Sequence, residues 1–276
     1  MKGTQNSLIP LYRIAEGRGW SALSAVPLQG LCLQVHENRL VLLCDDDKGS
    51  LGDVALQLVR AGTDAVYASE LYEADLMARQ EGRNIRAVIV PSDITIERLD
   101  EVLECIGPHA RVNVEDFAVL GRRPPDKHVE LLRDHGVGWR LWSPYDDRDL
   151  RFLTWGLVWA GTNDDLRIHT RVPTALPAKA VRRGAERDVL IGDLSRSGAY
   201  IETPEPFPAG SQVHLSISLP VGVVEFYGIT RWVAPETQGP VRGRSPGFGM
   251  EFLEIPDGSL RAVIEHLESE LDRFAL

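Results

Sequence analysis

Two domains of different class are predicted: an α/β domain built on a doubly wound, parallel, five-stranded sheet, then a small antiparallel six-stranded β-barrel with a C-terminal helix. Three observations predict this. The chain has 276 residues, more than the ~100–200 usual for one domain. From Arg39 to about Gly161, five apolar runs alternate with five helical patterns, the signature of parallel crossovers. After residue 160 the helical period gives way to short strand-like pieces separated by Gly and Pro, which favours a small barrel.

The elements follow in order. RLVLLCDD reads as a buried strand and SLGDVALQLVRAG as a helix closed by Gly62. DAVYAS and YEADLMARQEG form the second strand and helix, and IRAVIVP and ERLDEVLECIG the third. DFAVLG, DKHVELLRDHG, GWRLWSP and DRDLRFLTWGLVWAG complete the alternation. The barrel pieces are TALPAKAV, RDVLIGDL, GAYIET, QVHLSISL, VVEFYGITRWV and GFGMEFLEI. In GSLRAVIEHLESELDRFAL, Leu260, Val263, Ile264, Leu267, Leu271 and Phe274 fall at helical spacing behind Ser259 as the expected cap. The expected organisation is an N-terminal extension at 1–38, an α/β domain at 39–161, a linker at 162–172 and a barrel with its helix at 173–276.

Composition bounds the function. The net charge of −10 argues against broad binding to nucleic acid or acidic membranes, because phosphate attraction needs a basic face. No DNA-binding helix pair stands out. Between Arg167 and Gly198, however, seven basic residues face three acidic ones, a balance suited to a small anion. Cys32, Cys44 and Cys105 have no metal-ligand spacing and read as buried free thiols. The start, MKGTQNSLIPLYRIAEG, lacks the apolar core of a signal peptide, and no run is long enough to span a membrane. A cytoplasmic protein is expected, with no cofactor.

In GDLSRSGAYIE, residues 192–202, the first seven residues crowd an acid, two hydroxyls, an Arg and two glycines into one short segment. Its DLSRSG carries Asp193, Ser195 and Gly198, and some twenty residues earlier RIHTR sets Arg167 four residues before Arg171. These two motifs, with GAYIE, ITRWV and GFGMEF after them, resemble a PilZ domain over about residues 163–256. The family is a small barrel that many bacteria use to bind cyclic di-GMP. The resemblance implies ligand contacts from Arg167, Arg171, Asp193, Ser195 and Gly198, with Leu166, Arg182 and Arg183 as further candidates. The chemistry suits those residue types. The Arg fork matches guanine O6 and N7, stacks on a purine face and pairs with phosphate. Asp193 accepts from the N1–H and N2–H₂ edge of guanine, Ser195 bonds phosphate or fixes the loop, and Gly198 lets the backbone approach closely or supplies positive φ. Leu166 stands where a further Arg would stack a second ligand, so one dinucleotide per chain is expected.

The segment from about Arg39 to Gly161 resembles a receiver domain of bacterial response regulators. VLLCDDD places Asp45 and Asp46 where a working receiver holds its metal. The phosphoacceptor position falls on Pro91, the hydroxyl position on Gly121 and the Lys position on Ser143, with Asp93 as the alternative acceptor in another register. Phosphotransfer needs a carboxylate nucleophile, a metal and a cation, so no phosphorylation is expected and residual cation binding at Asp45 and Asp46 is only a weak candidate. The domain is then expected to dock a protein or dimerise. The leading reading is a non-enzymatic cyclic di-GMP receptor whose ligand, bound at the linker–barrel junction, reorients the barrel against the receiver-like domain and changes a protein contact. The alternative is an adaptor that holds partners without nucleotide. Catalysis is not expected, since Ser195 lacks a nucleophile-elbow context.

Overall fold

Strand β1 (Leu40–Cys44) shows why the first half forms a buried parallel sheet. Val41 and Leu43 enter one apolar cluster, while Leu42 and Cys44 enter another on the opposite face. Alternate residues of a strand point to opposite faces, so a continuous apolar run needs cover on both. The cover comes from α1 (Gly52–Arg60), α2 (Leu71–Glu81), α3 (Ile96–Ile106), α4 (Asp126–Asp134) and α5 (Asp147–Trp159). These alternate with β2 (Ala65–Ala68), β3 (Ile85–Pro91), β4 (Phe117–Gly121) and β5 (Trp139–Trp142). The sheet order is β2-β1-β3-β4-β5, parallel throughout. The computed structural model describes residues 39–45, 49–159, 170–234 and 245–276. The extension 1–38, Asp46, Asp47, and Leu166, Arg167 and His169 of the linker lie outside them.

Six antiparallel strands close the second half into a barrel: β6 (Val172–Arg182), β7 (Ala185–Ser195), β8 (Gly198–Glu202), β9 (Gln212–Leu219), β10 (Gly222–Ala234) and β11 (Gly247–Glu254). Their order is β10-β11-β8-β7-β6-β9, closed by the β9–β10 pairing. Both halves therefore have the predicted architecture. The terminal helix α6 (Asp257–Leu271) begins earlier than predicted. Pro256 is its cap, with no side-chain cap bond, so Ser259 is inside the helix. The fixed φ of proline sets the start where a capping hydroxyl was expected.

The two halves share one core. The cluster on the α1/α5 side of the sheet runs without a break through Leu150, Leu153 and Leu157 of α5 to Val172, Ile191 and Leu267 of the barrel half. Beyond α6 the chain turns back along the edge of the sheet. Ala275 bridges Trp139, Arg140 N donates to Phe274 O at 2.8 Å, and Leu276 N donates to Gly138 O at 3.2 Å. The Phe274 ring lies 4.5 Å from that of Phe152. The barrel's own tail thus covers the β5 edge, which limits the exposed sheet edge. The reorientation of barrel against sheet expected from the sequence would have to break this bridge and ring contact.

Between β6 and β7 the chain reverses through Arg183 and Gly184, with φ of 50° and 81°. Two residues of positive φ match the twist of a hairpin, but a Cβ-bearing residue there is strained by about 1–2 kcal/mol unless it is Asn or Asp. Arg183→Asn is expected to raise the unfolding free energy by about 0.5–1 kcal/mol. Urea denaturation reads this, and a lower midpoint would contradict it.

Candidate functional site

The β6–β7 register carries the two motifs together. Val172 pairs with Leu194 and Pro173 with Asp193, so Arg171, just before β6, stands beside the end of β7. Its Nη1 lies 3.3 Å from Asp193 Oδ1. About a fifth of each side chain is exposed (22% and 17%), enough for a solute to reach both. Arg171 and Asp193, 22 positions apart, are brought together as the motifs implied.

Ser195 and Gly198 hold the turn. Ser195 is 1% exposed; its Oγ donates to Gly198 O at 3.0 Å and accepts from Ser197 N at 3.4 Å. This closes the connection between β7 and β8 from within. Of the two roles open to Gly198, the geometry shows close approach. Its φ is not among the positive ones, and a Cβ there would collide with the Met250 carbonyl of β11. Arg196, in the same turn, is half exposed and 4.0 Å from Glu268.

Aromatic residues that the sequence reading did not single out continue the site. One cross-strand row runs Pro173, Asp193, Tyr200, Gly249, Trp232 over β6, β7, β8, β11 and β10. The Trp232 ring lies where a Cβ of Gly249 would be and stacks on Tyr200 at 5.2 Å and 13°. Tyr200 OH donates to Ser245 O at 2.6 Å, fixing the pair. Trp232 keeps 39% of its surface exposed, presenting a flat apolar face on the row that holds Asp193. Neighbouring strands lie about 5 Å apart, but which residue faces which across four strands is set by register and is invisible in the string.

Arg182 and Arg183 are not brought to this site. They lie at the far end of the 11-residue β6, roughly 30 Å from Asp193 at the rise of a strand. There Arg187 and Arg182 cover Phe207 at 4.5 and 6.0 Å from its centroid, and Arg187 pairs with Glu205.

In the α/β half, Asp45 is committed to the fold. It is 2% exposed and accepts from Leu51 N at 2.8 Å, Ser50 Oγ at 3.1 Å and Tyr67 OH at 3.1 Å. It thereby ties the N–H of Leu51, the cap residue of α1, to the end of β1. Burial first, then the bond to Asp45, pushes the Tyr67 phenol up to about 12. That geometry binds β2 and α1 to β1, in contrast to the cation site weighed for Asp45 and Asp46. Among the described residues no group of three His, Cys, Asp or Glu is gathered as a metal site would need.

Leu43 pairs with Ile89, and continuing that register brings Pro91 level with Asp45. Asp93 is exposed in the turn beyond. Gly121 has φ +144°, and a Cβ on it would lie 2.7 Å from Ser92 Oγ; Ser143 N donates to Gly121 O at 2.7 Å. The strand ends therefore present Pro91, Gly121 and Ser143.

Comparison with known proteins agrees with the barrel. Residues 165–269 match the PilZ domain family, and this part of the chain is a PilZ domain. Among solved structures, the Bacillus subtilis inhibitor of motility MotI/DgrA is 18% identical over 39% of this chain and 52% of that one, with a TM-score of 0.34. The PilZ domain of YcgR from Escherichia coli, solved with c-di-GMP, is 15% identical over 39% of this chain and 93% of that one, with a TM-score of 0.31. Borreliella burgdorferi PlzA, in complex with c-di-GMP, is 18% identical over 45% of this chain and 50% of that one, at 0.29. The similarity spans about half of the MotI/DgrA and PlzA chains. No curated protein matches the chain. None of the helices among the described residues is long and apolar enough to cross a membrane.

Proposed function

We propose that the protein is a non-enzymatic receptor for cyclic di-GMP, bound one per chain where the linker enters the barrel. The observation that carries this is the accessible Arg171–Asp193 pair on a PilZ domain. A cyclic dinucleotide offers what each partner gains by changing partner. Guanine N1–H and N2–H₂ donate to the Asp193 carboxylate, while phosphate or guanine O6 and N7 accept from the Arg171 fork. Arg167 closes from the linker, and Ser195 and Gly198 set the turn that aims Asp193. Trp232, on the same row, offers a face to a base. Ser195 is directed into its own turn, which argues against a nucleophile, so the ligand is held and released unchanged.

The ligand orders the linker and changes the contacts the protein offers a partner, as a dianion that prefers one state of a pre-existing equilibrium. Calorimetric titration of cyclic di-GMP tests the reading. Saturable binding of one dinucleotide per chain, recovered intact, is the expected result; no binding by the folded protein at any temperature tried would leave the adaptor in its place.

The α/β half serves as a docking surface rather than a phosphoacceptor. Pro91, Gly121 and Ser143 support this, because none of them supplies a carboxylate or an ammonium group. Incubation with acetyl phosphate and Mg²⁺ is expected to leave the intact mass unchanged. A stable phosphoryl adduct on Asp93 would contradict it.

A further inference from the structure

From the α/β half, Arg148 reaches two barrel strands close to the proposed ligand pair. It belongs to the first turn of α5, where the Asp146 carboxylate accepts from Arg148 N at 2.8 Å and Asp149 N at 3.1 Å, fixing the helix start. From there its guanidinium spans two barrel strands. Nη2 meets Glu202 Oε2 of β8 at 2.9 Å, and Nη1 donates to Thr174 O of β6 at 3.3 Å. Both side chains of the pair are well covered, at 23% and 12% exposure.

The contacted positions are where the strands are irregular. The β6–β7 register shifts between Pro173 and Leu176, and the β7–β8 register between Ile191 and Asp193. Gly192 lies inside the second shift, and a Cβ there would run into the Glu202 carboxylate. Thr174 Oγ1 donates to Ile191 O at 2.8 Å across the first. A bulge re-aims the side chain beside it, and here that side chain is Asp193.

We propose that Arg148 is a positioning residue for the nucleotide site: by holding Glu202 over Gly192 and the Thr174 carbonyl beside it, it fixes the bulge that aims Asp193 at the ligand. The α/β half is then part of the site's frame. By linkage, ligand binding changes the strength of the Arg148–Glu202 contact by the same factor that the contact changes ligand affinity. This rests on the receptor reading for its consequence, though not for its geometry.

The test separates positioning from general loss of interface. Arg273 of the tail forms a second ion pair between the halves, with Asp149 at 3.1 Å; its ion partners are Asp149 and Glu270, not Glu202 or Thr174. Hydrogen exchange in the full chain is measured for wild type, Arg148→Ala, Arg148→Lys and Arg273→Ala, followed by titration with cyclic di-GMP. In Arg148→Ala the amides of residues 191–198 are expected to exchange about tenfold faster, and the dissociation constant to rise by about tenfold. Arg148→Lys, which keeps the charge but has no fork, restores part of both. Arg273→Ala leaves both at wild-type values even though it lowers the melting temperature. Wild-type exchange at 191–198 in folded Arg148→Ala, or equal acceleration in Arg273→Ala, overturns the proposal. If exchange responds as expected but no variant, wild type included, binds the dinucleotide, the receptor reading fails and the positioning role stands.

Discussion

Arg171→Ala is expected to weaken cyclic di-GMP binding by about a hundredfold or more, the sum of one or two charge-assisted hydrogen bonds at about 1.5–3 kcal/mol each. Two effects act in the same direction. The guanidinium that pairs with phosphate or guanine is lost, and the Asp193 carboxylate, 17% exposed, no longer has the Arg171 charge beside it when the dianion arrives. Arg171→Lys retains the charge, so it should lie between, since an ammonium group has no planar fork. Asp193→Ala removes the acceptor for the guanine edge and should cost a similar factor. Neither change should unfold the protein. A partly exposed ion pair contributes at most about 1 kcal/mol after solvent screening, so circular dichroism melts of the variants should stay close to wild type. Raised salt should weaken wild-type binding more than binding by Arg171→Ala, because the variant has less charge to screen. Tight binding by folded Arg171→Ala would remove Arg171 from the site and with it the main support for the junction as the place of binding.

The sequence carried the local half of this picture. Leu40–Cys44 and Ile85–Pro91 could be read as buried strands because every residue is apolar or nearly so, and the barrel strands because Gly and Pro separate short strand-like pieces. Arg171 and Asp193 could be paired because the family resemblance joins their motifs. What escaped depends on register over long separations. Nothing in RWV and GFG says that Trp232 lies across Gly249 and on Tyr200. Arg182 and Arg183 fall between the two motifs in the chain, but a long hairpin carries its tip away from both its ends. Asp45 read as an open strand-end acid, while its carboxylate is turned to the first turn of α1. Phe274 was read as an apolar position of the terminal helix, but α6 ends at Leu271; Phe274 lies in the turn beyond it, against a ring of the other domain, and a periodicity cannot name a partner.

That partner makes Phe274→Ala the substitution with the largest expected effect on stability. Phe274 is 1% exposed and its ring lies against Phe152 of α5, so removing it leaves a cavity where the two halves meet. Loss of a buried Phe side chain costs about 3–5 kcal/mol, a large share of the roughly 5–15 kcal/mol that holds a domain folded. The backbone around it adds to the loss: Phe274 O accepts from Arg140 N and Ala275 bridges Trp139, contacts that depend on the tail being anchored. Because Val172, Ile191 and Leu267 share a cluster with Leu150 and Leu157, the wild type is expected to unfold in one cooperative calorimetric transition. Phe274→Ala should lower it and split it in two as the sheet and the barrel lose their common anchor, whereas Phe274→Leu, which fills most of the space, should shift it by less than about 1.5 kcal/mol and keep it single. A single transition in Phe274→Ala, displaced by less than about 1 kcal/mol, would mean that the tail merely rests on the sheet edge. The barrel would then be free to turn against the sheet when the ligand arrives, and the reorientation first expected from the sequence would return as the way the signal leaves the site.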